Sequence, residues 1–173
     1  MDSYEFKVIL CGNMGVGKTS LVKRFVHTDF AESYKPTLGT EIYYKQITFK
    51  GNAVILQVWD LAGAPNFRNI RASFYRGTNA ALLVTDLTRP ETLSSIVRWR
   101  EEIRQVLGND PVSLLVGNKV DLIGSRSISE EDVRSFLLTN QDLSWVETSA
   151  KTGERVEEAF EQLASQLVQT QNH

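Results

Sequence analysis

Residues Gly12-Asn13-Met14-Gly15-Val16-Gly17-Lys18-Thr19 fit the pattern G-x-x-x-x-G-K-[ST], and no other stretch constrains the fold as strongly. A short apolar run at 6–11 precedes them and reads as a strand. Residues 19–27 follow as a helix with Leu21, Val22 and Phe25 on one face. Strand, glycine turn and helix in that order form a phosphate cradle. The glycines let successive backbone N–H groups turn inward, and the helix N-terminus adds its positive end. Lys18 is placed to reach the β and γ phosphates, and the Thr19 hydroxyl to ligate a divalent cation. An accidental glycine turn would not come with this strand and helix. The motif indicates a nucleoside triphosphate but neither the base nor the chemistry.

The rest of the chain alternates strand-like and helix-like runs, which predicts an α/β fold with a mostly parallel sheet. Strands are predicted at 41–50, 53–60, 80–85, 112–116 and 145–147, the first two joined by Gly51-Asn52. Residues 28–40, with Pro36 and Gly39, read as a loop, and 62–67 as irregular. A helix opens at Pro90-Glu91 with Leu93, Ile96, Trp99, Ile103 and Val106 on one face. Another spans 129–138 with acids in its first turn, and a closing helix spans 154–168 before a polar tail at 169–173 that should fray. All 173 residues read as one domain.

Composition narrows the functions. Nineteen basic against 21 acidic residues leave a net charge of −2, without the basic excess of a nucleic-acid binder or the basic run that docks on anionic membranes. Cys11 is the only cysteine, so no disulfide framework or multi-cysteine zinc site is available. No apolar run reaches membrane-helix length and the acidic N-terminus is not a signal peptide, so the expectation is a cytoplasmic chain, monomeric by default.

Asn118-Lys119-Val120-Asp121 lies just after the strand predicted at 112–116. A carboxylate such as Asp121 accepts two N–H bonds from the N1 and 2-amino groups of guanine, which adenine does not offer. Glu147-Thr148-Ser149-Ala150-Lys151 follows the last short strand. With Thr37 and the Trp59-Asp60-x-Ala62-Gly63 segment, these motifs resemble the Ras-like small GTPases over nearly the whole chain. Phe74-Tyr75-Arg76-Gly77 is similar to a tract of the Rab branch. The resemblance implies a P-loop fold of six strands, one antiparallel at the edge, flanked by five helices, and a GTP/GDP switch with Mg²⁺. By position, Asn118 and Asp121 would read guanine, Lys119 would stack its stem on the base and brace the phosphate loop, and the backbone of Ala150 would meet the guanine oxygen. Ser20, Ser149 and Lys151 would complete the nucleotide contacts. Phe30 would lie against guanine or ribose. Thr19, Thr37 and Asp60 would hold Mg²⁺. The Gly63 N–H would bind the γ-phosphate, which with Lys18 and Thr37 makes the catalytic set. Effectors, exchange factors and activating proteins would bind through 34–46 and 61–76.

The sequence departs from the family at four places. Gly63 is followed by Ala64-Pro65 where relatives carry a Gln, so no side chain at 64 can orient the attacking water, and hydrolysis should be slow unless Asn66 or a partner supplies an amide. Pro65 biases Ala64 to extended geometry. Met14 takes the place of a smaller residue beside the γ-phosphate, where its bulk would hinder a partner's arginine. The segment 38–42 lacks the usual Phe, and the chain shown carries no C-terminal cysteine for a prenyl anchor, so a membrane-peripheral location would need a lipidated tail. Arg68, Arg71 and Arg76 read as a solvated basic face before an effector contact, whereas exposure of Trp59 or Tyr75 would favour an effector surface. Three functions compete: a cycling switch, a GTP-binding module that hardly hydrolyses, and a kinase. Asn118 to Asp121 and Ser149 to Lys151 weigh against the kinase.

Overall fold

A computed structural model describes residues 3–27 and 39–171. Phe30 and Thr37, and the predicted loop up to residue 38, lie outside the described residues. The strands are β1 (Ser3–Cys11), β2 (Thr40–Phe49), β3 (Asn52–Leu61), β4 (Ala80–Asp86), β5 (Val112–Asn118) and β6 (Ser144–Thr148). The helices are α1 (Lys18–His27), α2 (Arg68–Phe74), α3 (Glu91–Ser94), α4 (Ile96–Leu107), α5 (Glu130–Leu138) and α6 (Val156–Gln171). Only Ser95, itself in helical geometry, separates α3 from α4, so the two form one interrupted body and the sheet is flanked by five.

The six strands run in the order β2-β3-β1-β4-β5-β6, with β2 antiparallel to β3 and the other pairings parallel. Alternation along β1 divides the core. Phe6, Val8 and Leu10 face the α1 and α6 layer, where the rings of Phe25 and Phe160 stack at 3.9 Å. Ile9 and Cys11 face the opposite layer with Leu83, Trp99, Ile103 and Leu115. Burial pushes the Cys11 thiol up to about 12. The parallel strands deliver their C-terminal ends to one edge, where ligands bind in folds of this class.

Several boundaries differ from the sequence reading. The hairpin turn is Lys50-Gly51, both at positive φ (49° and 80°), with Phe49 paired to Asn52; Asn52 already belongs to β3. Strand β5 continues to Asn118 because β4 and β6 flank it that far, in the pairs Asp86↔Asn118 and Asn118↔Thr148. Helix α2 had no counterpart among the predicted elements. The closing helix starts at Val156 and extends to Gln171. The predicted acidic first turn of α5 is present, with Ser129 and Asp132 in a reciprocal capping box.

Candidate functional site

The loop after β1 closes on itself around Lys18. The Lys18 ammonium is buried and donates to the carbonyls of Gly12 (2.7 Å) and Asn13 (3.0 Å). Desolvation lowers its pKa to about 8, against an opposing pull from Asp60. A cation stored this way gains from any polyphosphate that enters. Gly17, at φ +102°, has Asn118 Nδ2 where a Cβ would stand. A Cβ on Gly63 would come within 2.6 Å of both Lys18 Nζ and Gly12 O and within 2.8 Å of Met14 N. Only glycine lets the end of β3 approach the phosphate loop this closely. Met14, Gly15, Gly17, Lys18, Thr19, Ser20, Gly63, Ala64 and Phe67 line one pocket between them.

Asp60, fully buried near the end of β3, accepts from the Thr19 hydroxyl at the start of α1. A carboxylate and a hydroxyl converging beside a phosphate cradle are hard oxygen donors that suit a small divalent cation whose other ligands come from phosphates and water.

The base-side motifs form a lattice. Asn118 is buried. Its Nδ2 donates to Val16 O at 3.0 Å, and its Oδ1 accepts from Thr148 Oγ1 and from Ala150 N, both at 3.1 Å. Asn118 thus ties the phosphate loop to the loop after β6. Ser149 Oγ donates to Asp121 Oδ1 at 2.6 Å, which orients the carboxylate. Lys119 Nζ pairs with the buried Asp86 carboxylate at the end of β4 at 2.7 Å. Burial alone would raise the Asp86 carboxyl, but Lys119 and two bonds from Thr88 hold it below the usual carboxylate range. From α1, Arg24 donates to Ala150 O at 3.0 Å and to Lys151 O.

The segment after Gly63 rests on a buried cluster. Ala64 is extended (φ −68°, ψ 140°), as Pro65 requires, and Pro65 opens a short 3₁₀ turn. Asn66 is exposed on that turn and is not among the residues lining the pocket. Arg71 is 3% exposed, in contrast to the solvated basic face expected of it. Its Nε and Nη2 grip Glu102 at 2.9 and 3.1 Å, while Nη1 donates to Ala62 O at 2.9 Å and Ala64 O at 2.7 Å. Burial opposes the Arg71 charge, but Glu102 more than restores it. Tyr75 is fully buried, contrary to the exposure that would have favoured an effector surface, and its hydroxyl donates to Glu102 at 2.5 Å. Trp59 is half-buried under Lys7, whose ammonium lies 3.9 Å from the ring. Ile42 and Tyr44 on β2, Ile70 on α2 and Met14 on the phosphate loop are exposed apolar side chains.

Trp99 connects the two halves of the site. Its indole N–H donates to Asn13 Oδ1 at 2.9 Å, and its ring faces Arg71 at 4.4 Å. From the β4–α3 turn, Arg89 Nη1 donates to Met14 O at 2.9 Å. No motif flags Arg71, Glu102, Trp99 or Arg89. From sequence, Trp99 reads only as part of an apolar helix face and Arg71 as part of a solvated basic face.

The model of the Ras family matches residues 7–169. Ras-related protein Rab-30 of Homo sapiens is 40% identical over 170 residues, 97% of this chain and 83% of the relative. Ras-related protein RABA2a of Arabidopsis thaliana is 39% identical over 164 residues (95% and 75%). GTP-binding protein ypt3 of Schizosaccharomyces pombe is 37% identical over 164 residues (95% and 76%).

Proposed function

The chain belongs to the Ras family of small GTPases, and from that premise we propose a GTP/GDP switch that uses Mg²⁺ and hydrolyses GTP slowly. One observation carries the slow rate. Ala64 lines the phosphate pocket with a methyl group, and Asn66 is exposed and absent from the pocket lining. Attack by water on a phosphoryl group depends on positioning and electrostatics, and neither residue offers the water a partner inside the pocket.

The other roles follow from the chain's own groups. Lys18 would exchange its two carbonyl partners for β and γ phosphate oxygens, and the Gly63 N–H would meet the γ-phosphate. Thr19 and Asp60, with Thr37, would hold Mg²⁺, which when bound neutralises charge on the phosphates. Asp121, oriented by Ser149, would select guanine, and Asn118 would keep that selector in register with the phosphate loop. Phe30 would flank the base. Ile42, Tyr44 and Ile70 would contribute to an effector surface within 34–46 and 61–76, used by a monomer, by exchange factors and by activating proteins. Rab relatives support a cytoplasmic or membrane-peripheral setting, and no helix among the described residues is long and apolar enough to cross a membrane.

The same methyl group at Ala64 also fits a module that binds GTP and hardly turns it over. Competition binding with GTP, GDP and ATP in Mg²⁺ tests what both readings share. GTP and GDP should displace a fluorescent guanine nucleotide at least about a hundredfold better than ATP. Equal displacement by ATP would refute guanine selection.

A further inference from the structure

A second cation stands on the outer wall of the phosphate loop. Arg89 lies in the turn between β4 and α3, a separate element from the loop. Its Nη1 donates to Met14 O at 2.9 Å and would be 3.5 Å from a Cβ at Gly15. Its Nε rests on Glu91 Oε1 at 3.0 Å. The Glu91 side chain is 61% exposed, so water screens that carboxylate, which orients the guanidinium more than it cancels the charge.

The position along the cradle matters. Gly63 approaches Met14 N as well as Gly12 O and Lys18 Nζ, and Met14, Gly63 and Ala64 line the pocket together. This is the end of the cradle where the β3 loop meets the phosphate loop, so it takes the outermost phosphate. Lys18 supplies the inner charge, and Arg89 supplies another from the far side of the same backbone. A neutral amide could brace the Met14 carbonyl equally well. What only a guanidinium or ammonium adds there is positive charge.

We infer that Arg89 is a specificity-determining residue of the phosphate site, a cation supplied in cis that favours the triphosphate over the diphosphate. The inference rests on the guanine-nucleotide reading above and adds to it a bias toward the GTP-bound form. The extra negative charge of a triphosphate lies at the end that Arg89 serves. Partly screened by water, one such charge changes the affinity ratio by about three- to tenfold.

The test measures dissociation constants of GDP and of a non-hydrolysable GTP analogue, with Mg²⁺, for the full chain and two variants. Arg89→Gln keeps a donor for Met14 O and loses the charge, whereas Arg89→Lys keeps the charge. Arg89→Gln should weaken the triphosphate about three- to tenfold and leave GDP within about twofold. Arg89→Lys should retain most of the preference. Raising salt from about 0.05 to about 0.5 M should narrow the unsubstituted protein's preference toward that of the Gln variant. Equal weakening of both nucleotides by Arg89→Gln, or of neither, would overturn the inference and leave Arg89 a brace of the loop. If the unsubstituted protein binds neither nucleotide, the underlying reading falls and this inference with it. Tight binding with an unchanged ratio sinks this inference alone.

Discussion

Arg71→Met removes the guanidinium beneath the segment that carries Gly63 and Ala64 while keeping a long apolar stem over Trp99. Glu102, whose side chain is 7% exposed, would lose a two-pronged partner and keep only the Tyr75 hydroxyl and the more distant Arg68 at 3.7 Å. The Ala62 carbonyl would lose the Arg71 donor as well, and the Ala64 carbonyl would keep only the Phe67 N–H. Breaking a buried ion pair by deleting one partner costs about 3–5 kcal/mol. Losing the cation over the Trp99 ring adds about 0.5–1 kcal/mol. Arg68 can swing inward and water can reach the edge of the site, so the lower end of the sum applies, about 3.5 kcal/mol. For a domain of this size that is a fall in melting temperature of about 7–14 °C. Urea unfolding, with the m-value checked for constancy, gives the free energy directly. The paired variant Arg71→Met with Glu102→Leu should recover most of the loss, since a buried ion pair is worth little against apolar packing of similar volume. Hydrogen exchange should also speed up at 62–74 in the single variant, because α2 has only seven residues and Arg71 is its buried anchor. A loss under about 1 kcal/mol, or a double variant no better than the single, would refute the placement of Arg71 as a buried clamp.

Other outcomes follow from the same geometry. Asp121→Ala should remove the preference for GTP over inosine triphosphate, which lacks the 2-amino group, and weaken GTP by about a hundredfold or more; competition binding reads both. The Cys11 thiol, raised by burial from 9.0 to about 12, keeps its proton in the fold after the unfolded thiol has lost it. Its contribution to stability is therefore complete below pH 9.0 and is lost as pH rises toward 12, so alkaline unfolding of a Cys11→Ala variant should lack that component of the slope. An iodoacetamide time course at pH 8 should label the denatured chain and spare the folded one.

What could be read from sequence was whatever is local. The phosphate loop announces itself because glycines, lysine and threonine must occur at fixed spacing. Strand β4 announces itself because it is buried on both faces. The constraint of Pro65 on Ala64 is also local, and the extended backbone there matches it. The Arg71 cluster is not local. Arg71 and Glu102 are 31 residues apart in the chain, and nothing in either neighbourhood separates a buried guanidinium from a solvated one. Asn118 shows the same limit at the base site. Its motif identifies the position, but its work as a brace depends on Val16 and Ala150, 102 and 32 residues away. Helix α2 escaped because its anchoring residue is charged, so the apolar periodicity that marks an amphipathic helix is weak there. The hairpin turn slipped by one residue because Lys50, a poor candidate for positive φ, accepts that conformation to give the twist the strands need.

On the proposed reading, Ala64 limits the chemistry. Single-turnover hydrolysis of Mg²⁺·GTP by the unsubstituted protein and by Ala64→Gln tests it directly. A slow unsubstituted protein, with the Gln variant at least about tenfold faster, is the predicted result. An ordinary rate in the unsubstituted protein, with no gain from Gln, would mean that another group orients the water and would contradict the account.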